Sequence, residues 1–164
     1  MPIIDPILTE LDFEARATTR VLERVPADRY DWTPHPRSMP VGKLAWHIAS
    51  IPKRVEVLLR AGTFDVNDAR PGEPPATTPE LVALFHENMA SVRAYMAELS
   101  DETLRETFTM TRGEQVIMKM AKVTLIRTVL MNHTYHHRGQ LAVYLRLLDI
   151  PVPAIYGTSA DEAM

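Results

Sequence analysis

The sequence predicts an all-α fold: a four-helix bundle with a small β-hairpin ahead of the last long helix, in one domain spanning residues 1–164. Three observations lead there. Four segments repeat apolar residues at steps of three and four, the period of an amphipathic helix. The 13 prolines gather in the connections between those segments, where they sharpen the boundaries. Between Thr107 and Met118 the helical period breaks and gives way to a hairpin pattern. Helices with one apolar stripe each must bury those stripes against one another, and a bundle does so.

Composition narrows the function. At 46% hydrophobic and 24% charged residues, with a net charge of −3, the chain has no electrostatic footprint for nucleic acid. It has no cysteine, which removes disulfides, thiolate nucleophiles and sulfur-ligated metal at once. Any bound metal must use His, Asp, Glu or water. The opening residues Met1 to Asp5 carry no basic segment, and no apolar run is long enough to span a bilayer, so a cytoplasmic location without membrane contact is expected.

The first helix is expected from Asp5-Pro6, an N-cap acid followed by proline at the first helical position, to a stop before Pro26. Its stripe is Ile4, Leu8, Leu11, Ala15, Thr18, Leu22 and Val25. The acids and arginines between them, Glu10, Asp12, Glu14, Arg16, Arg20, Glu23 and Arg24, read as a solvated surface. Pro26 to Pro40 is a connection in which Trp32 packs over a helix end and His35, between two prolines, is exposed.

A second helix runs from Val41 to Ala61, with Gly62 as its stop. Its stripe is Leu44, His47, Ile51, Val55 and Leu58. Pro52 removes the donor that would bond Ile48 and is expected to bend the helix one turn past His47. Thr63 to Thr77, holding Pro71-Gly72-Glu73-Pro74-Pro75, is a polar surface loop. The third helix starts near Thr77-Thr78-Pro79-Glu80, where Thr77 with Glu80 would form a capping box, and stops around Ser100. His86 lies off its stripe and faces solvent.

Thr107–Met110 and Gln115–Met118 flank Arg112-Gly113 and read as a hairpin leaning on the helices. The fourth helix, Lys119 to Leu148, has the stripe Ile126, Leu130, His133, His137, Leu141, Tyr144 and Leu148. Gly139 in its middle costs roughly 1 kcal/mol against alanine unless another element comes close. Pro151 and Pro153 end the helix, and the tail is expected to fold back on the body.

Three histidines thus take core positions: His47 on the second helix, His133 and His137 on the fourth. Imidazoles in an apolar seam need partners, because an unpaired buried polar group costs roughly 1–3 kcal/mol. A hydrogen-bonded group of core histidines would meet that need. So would a shared divalent metal, with zinc or nickel among the ions that imidazole suits and one coordination position left for a ligand. His136 with His133 is an alternative pair; His133 with His137 is preferred because both lie on the stripe. Asn132, Gln140 or Tyr144 could hydrogen-bond a ligand histidine. Arg138 could meet an anionic substrate or a carboxylate at the surface.

The run His133-Thr134-Tyr135-His136-His137-Arg138-Gly139-Gln140-Leu141, the tail Val152 to Glu162, and Val41-Gly42-Lys43-Leu44 leading to His47-Ile48-Ala49 resemble the DinB/YfiT-like superfamily. The resemblance covers nearly the whole chain. It implies a four-helix bundle with a three-histidine site, mapping onto His47, His133 and His137, that binds zinc or nickel, commonly in a homodimer. Asp149 and Thr158 depart from that pattern, where glycine and proline are frequent. The superfamily includes thiol-dependent S-transferases and a mycothiol-dependent maleylpyruvate isomerase. The first expectation is therefore a metal-dependent enzyme that activates a low-molecular-weight thiol. A metal-dependent hydrolase is a variant with the same ligands, although no acid flanks His133 or His137 as in a metalloprotease motif. The other expectation is a non-catalytic, metal-stabilised helical dimer that binds a small molecule or partner.

Overall fold

The computed structural model describes residues 1–70 and 72–163; Pro71, read as part of the linker, and Met164, at the end of the expected domain, lie outside the described residues. Three long helices, α1 (Ile4–Leu22), α2 (Val41–Ala61) and α3 (Thr78–Ala97), are followed by a short α4 (Asp101–Arg105). The last helical run is composite. It begins as α5 (Lys122–Leu125), passes through a π-helical stretch, Ile126–Asn132, and continues as α6 (His133–Leu147). Strands β1 (Thr63–Asp65), β2 (Thr107–Arg112) and β3 (Gln115–Ala121) form one sheet in that order. The fold is therefore mostly helical with a small three-stranded sheet. The expectation of four helices and a hairpin is corrected in two places: a further short helix is present, and the hairpin has a third strand.

That third strand lies in the stretch read as loop. Thr63, Phe64 and Asp65 pair in parallel with Thr109, Met110 and Thr111. Three residues are too few to show an alternating pattern. β2 and β3 pair antiparallel as expected, with Gly113 at φ 58° in the turn and its N–H donated to Asp65 Oδ2 at 2.9 Å. α4 is capped by Ser100, whose hydroxyl accepts from the Thr103 N–H. A serine ahead of two acids is a helix-start signal, and it stands in the sequence.

Several local expectations hold. Gly62, at φ 69°, closes α2 through its N–H to the Leu58 carbonyl. Thr77 and Glu80 form the capping box of α3. The cap of α1 is different. Asp5 lies inside the first turn, and the carboxylate at the helix start is Asp101, which accepts from the Ile3 N–H at 2.8 Å. The tail folds back as expected: Glu162 pairs with Arg20 and Arg24, and Asp161 with Arg146. Arg20 and Arg24, read as solvated surface, hold the tail rather than facing solvent alone.

The buried side chains divide into two apolar clusters along the helices. One, nearer the sheet, joins Ile7 and Leu11 to Ile51, Val55, Val92, Phe108, Ile126 and Leu130. The other joins Val21 and Leu22 to Leu44, Ile48, Phe85, Leu141 and Leu145. Between them on each long helix lie polar residues: Glu14 and Thr18 on α1, His47 and Ser50 on α2, Asn88 on α3, and Thr134, His137 and Arg138 on α6. The functional candidates sit in this polar waist.

One reading of the first helix is overturned there. Glu14, assigned to the solvated face, is buried and pairs with Arg138, Nη1 to Oε2 at 2.7 Å. Arg138 also donates to Thr18 Oγ1 and, with the Glu14 carboxylate, holds the Tyr156 hydroxyl of the tail. A buried guanidinium requires a carboxylate and further acceptors, and both are supplied. Arg138 is thus the ion-pair partner foreseen, but an interior one.

Candidate metal centre

The backbone around His133 is unusual. Its N–H bonds the Thr128 carbonyl five residues back, closing the π-helical stretch. Thr128 and Thr134 turn their hydroxyls onto the carbonyls of Thr124 and Leu130, which supplies donors where the regular ladder is disturbed. Burial steps from Leu130 to Thr134 and then to His137, Arg138, Leu141 and Leu145, with His133 beside that row. His133 is left half-buried, and Tyr144 packs edge-on against Trp32 at 5.7 Å.

On the opposing helix His47 is also half-buried. α2 continues through Pro52, and side-chain donors serve the carbonyls of the preceding turn: Ser50 Oγ bonds the His47 carbonyl and Asn88 Nδ2 the Ala49 carbonyl at 2.9 Å.

The three imidazoles meet. His47 Nε2 lies 3.2 Å from His133 Nε2, which lies 2.6 Å from His137 Nε2. Each offers one ligand atom, and these atoms lie within 4.8 Å of one another, a group that could hold a metal ion. His137 Nδ1 is 2.7 Å from Gln140 Oε1. A carbonyl oxygen only accepts, so Nδ1 carries the proton and Nε2 turns its lone pair inward.

Proton accounting tests the fit. Three neutral rings facing one another through Nε2 cannot each find a donor, since His137 has placed its proton elsewhere. One cation would satisfy all three lone pairs. The 3.2 Å separation matches the roughly 3.3 Å edge of a tetrahedral site with metal–nitrogen bonds of 2.0–2.1 Å; the 2.6 Å pair is tighter. The rings are also held neutral. Burial, then the neighbouring imidazoles of His137 and His133 and the Arg54 guanidinium, push His47 down to about 4. Burial lowers His133 first, with His137, His136 and Arg54 adding to it. Burial also lowers His137, against the opposing hydrogen bond that its Nδ1 donates to Gln140. A neutral imidazole is the form that binds metal.

His136 stays outside this group. It is exposed and stands edge-on to the His137 ring at 4.9 Å. Of the helpers considered for a ligand histidine, Gln140 takes the role, while Asn132 is exposed and Tyr144 packs on Trp32. Gly139 has open space where a Cβ would stand, so no close approach explains it. Sequence reasoning passed over Arg54, although it follows His47 by seven residues and so shares its face.

The fold and site define a mostly helical protein with a three-histidine cluster able to hold a metal ion. The model of the DinB family matches residues 4–164, and the chain belongs to that family. It is 29% identical over 163 residues to the uncharacterized protein YrdA of Bacillus subtilis, covering 97% of this chain and 91% of that one. Two solved structures share the fold. One, a DinB-like protein from Bacillus cereus, has a TM-score of 0.70 at 22% identity, covering 93% of this chain and 97% of that one. The other, the DinB-like protein YjoA of Bacillus subtilis, has a TM-score of 0.71 at 19% identity, covering 92% and 98%. Among the described residues, no helix is long and apolar enough to cross a membrane.

Proposed function

We propose that this chain is a metal-dependent enzyme in which His47, His133 and His137 hold one divalent ion, zinc or nickel, and which transfers a low-molecular-weight thiol to an electrophile. The observation that carries the reading is the convergence of three Nε2 atoms in one polar waist. When bound, such an ion acidifies a thiol or water and leaves a position for it. Gln140 holds the His137 ring in the required tautomer. The half-burial of His47 and His133 gives a small molecule an approach from the surface.

Thiol chemistry is favoured over hydrolysis by what surrounds the rings. Among the described residues no carboxylate is hydrogen-bonded to or paired with any of the three imidazoles. Attack by water profits from a positioned base, whereas a thiol, far more acidic than water, ionises under the ion's charge alone.

Metal analysis of untagged protein is the test. We expect about one first-row metal per chain, lost in His47→Ala and in His133→Ala. Full occupancy in both variants would refute the assignment. Zinc-loaded protein should conjugate 2-mercaptoethanol to an electrophile above the background rate, and the metal-free protein should not. A loaded protein without that rate would leave the non-catalytic reading, a metal-stabilised homodimer. One feature favours such a dimer: beside the open Gly139, Val143 and Leu147 on α6 are more than half exposed. Sedimentation of wild type against Val143→Glu decides whether a second copy covers that row.

A further inference from the structure

We infer that Arg54 is an anion anchor beside the three histidines, so that the small molecule taken at this site carries a carboxylate or a comparable anionic group. The inference rests on the metal-centre reading above and adds to it the charge of the ligand. Arg54 follows His47 by two helical turns and stands on the same face of α2. Helical side chains lean toward the N-terminus. Arg54 does so: its Cζ lies 5.1 Å from the ring centroid of Trp46, the residue before His47. The guanidinium therefore lies over the indole of the residue that adjoins His47 in the chain.

The platform beneath it is fixed. A Cβ on Gly72 would stand 2.6 Å from Trp46 Cζ2, so the linker backbone lies directly against the indole. A guanidinium resting on an aromatic ring keeps N–H groups free for a planar acceptor. Among the described residues no carboxylate pairs with Arg54, whereas Arg60, Arg93 and Arg127 each have one. Arg54 is also near enough for its charge to lower His47 and His133. Three neutral imidazoles bring no negative charge to a divalent ion. With Arg54 the site gains a further positive charge, and an anionic ligand is what balances it.

Calorimetric titration of the zinc-loaded protein with 3-mercaptopropionate, 2-mercaptoethanol and propionate tests this, in wild type, Arg54→Gln and Arg54→Lys. Metal content is measured on each sample. The carboxylated thiol is expected to lose roughly ten- to hundredfold in affinity in Arg54→Gln, with 2-mercaptoethanol unchanged and zinc still one per chain. Arg54→Lys should fall between them. Equal losses for both thiols, or none, in a zinc-replete variant would overturn the anchor and leave the metal reading intact. Wild-type protein that takes up no zinc would overturn both. If neither thiol binds but propionate still depends on Arg54, the thiol reading fails and the anchor stands.

Discussion

Replacing Glu14 by alanine tests the interior ion pair and separates it from the pairs on the surface. Arg138 is 2% exposed and Glu14 is 7% exposed. The carboxylate takes Arg138 Nη1 at 2.7 Å and the Tyr156 hydroxyl at 2.7 Å. Its removal leaves the guanidinium buried with only the Glu14 backbone carbonyl, Thr18 and Tyr156 as acceptors. Breaking a buried pair from one side costs about 3–5 kcal/mol. Unfolding entropy near 2.1 cal/mol/K per residue gives roughly 0.34 kcal/mol/K for a chain of this length, so the midpoint should fall by about 9–15 °C. Asp12→Ala is the control. Its pair with Arg93 is as short, at 2.6 Å, but its side chains are 46% and 40% exposed. It should cost less than about 1 kcal/mol, or about 3 °C. The double change Glu14→Leu with Arg138→Met removes both charges and should recover most of the loss. Thermal unfolding followed by circular dichroism measures all three. A Glu14→Ala shift no larger than that of Asp12→Ala would refute the claim that burial sets the scale here.

Three further outcomes follow from the same geometry. His47 is held neutral down to about pH 4 in the folded chain, whereas unfolded it titrates near 6.5. The unfolded state therefore binds more protons between those values, and the metal-free protein should lose stability as pH falls from about 6.5 to about 4, by at most about 3 kcal/mol from this residue; urea melts in which His47→Leu shows the same pH slope as wild type would contradict it. Asp149 stands at φ 59° as the left-handed residue that closes α6, with its N–H on the Arg146 carbonyl and that of Ile150 on Leu145. Glycine adopts this conformation without a Cβ penalty, so Asp149→Gly should raise the melting point by about 1–3 °C; a lower value would show that the aspartate contributes more than its backbone strain costs. Gln140→Leu should weaken zinc roughly ten- to hundredfold in chelator competition, and unchanged affinity would mean that the His137 ring needs no outer partner.

Much of the fold could be read from the chain because its signals are local. The stripes of the long helices, the Gly62 stop and the Thr77–Glu80 box each depend on residues a few positions apart. The three site histidines were legible for the same reason, with the family resemblance supplying their convergence across 86 residues. What escaped depends on distant partners. Asp5 looked like a cap, but the carboxylate that meets the Ile3 N–H is Asp101. Glu14 looked like one more surface acid, because nothing near it announces Arg138, 124 residues on. Gln140 was one of three possible helpers until its oxygen was seen on His137.

The last helical run supplies two of the three histidines and the buried arginine. The last helix must serve two cores and a polar site between them. Positions three and four after Leu130 share its face, which turns both His133 and Thr134 toward the seam. Thr134 and Arg138, at successive steps of four, are buried, and His133 is left half-buried at the edge. The buried positions can then be satisfied internally, Thr134 by the Leu130 carbonyl and Arg138 by Glu14. The imidazoles of His133 and His137 face His47 on α2, where a ligand can reach them. A polar belt across an apolar bundle costs stability unless every member is paired. On the α1 side each member has its partner within the chain. On the α2 side three inward nitrogens share too few protons, and the group they form could hold a metal ion.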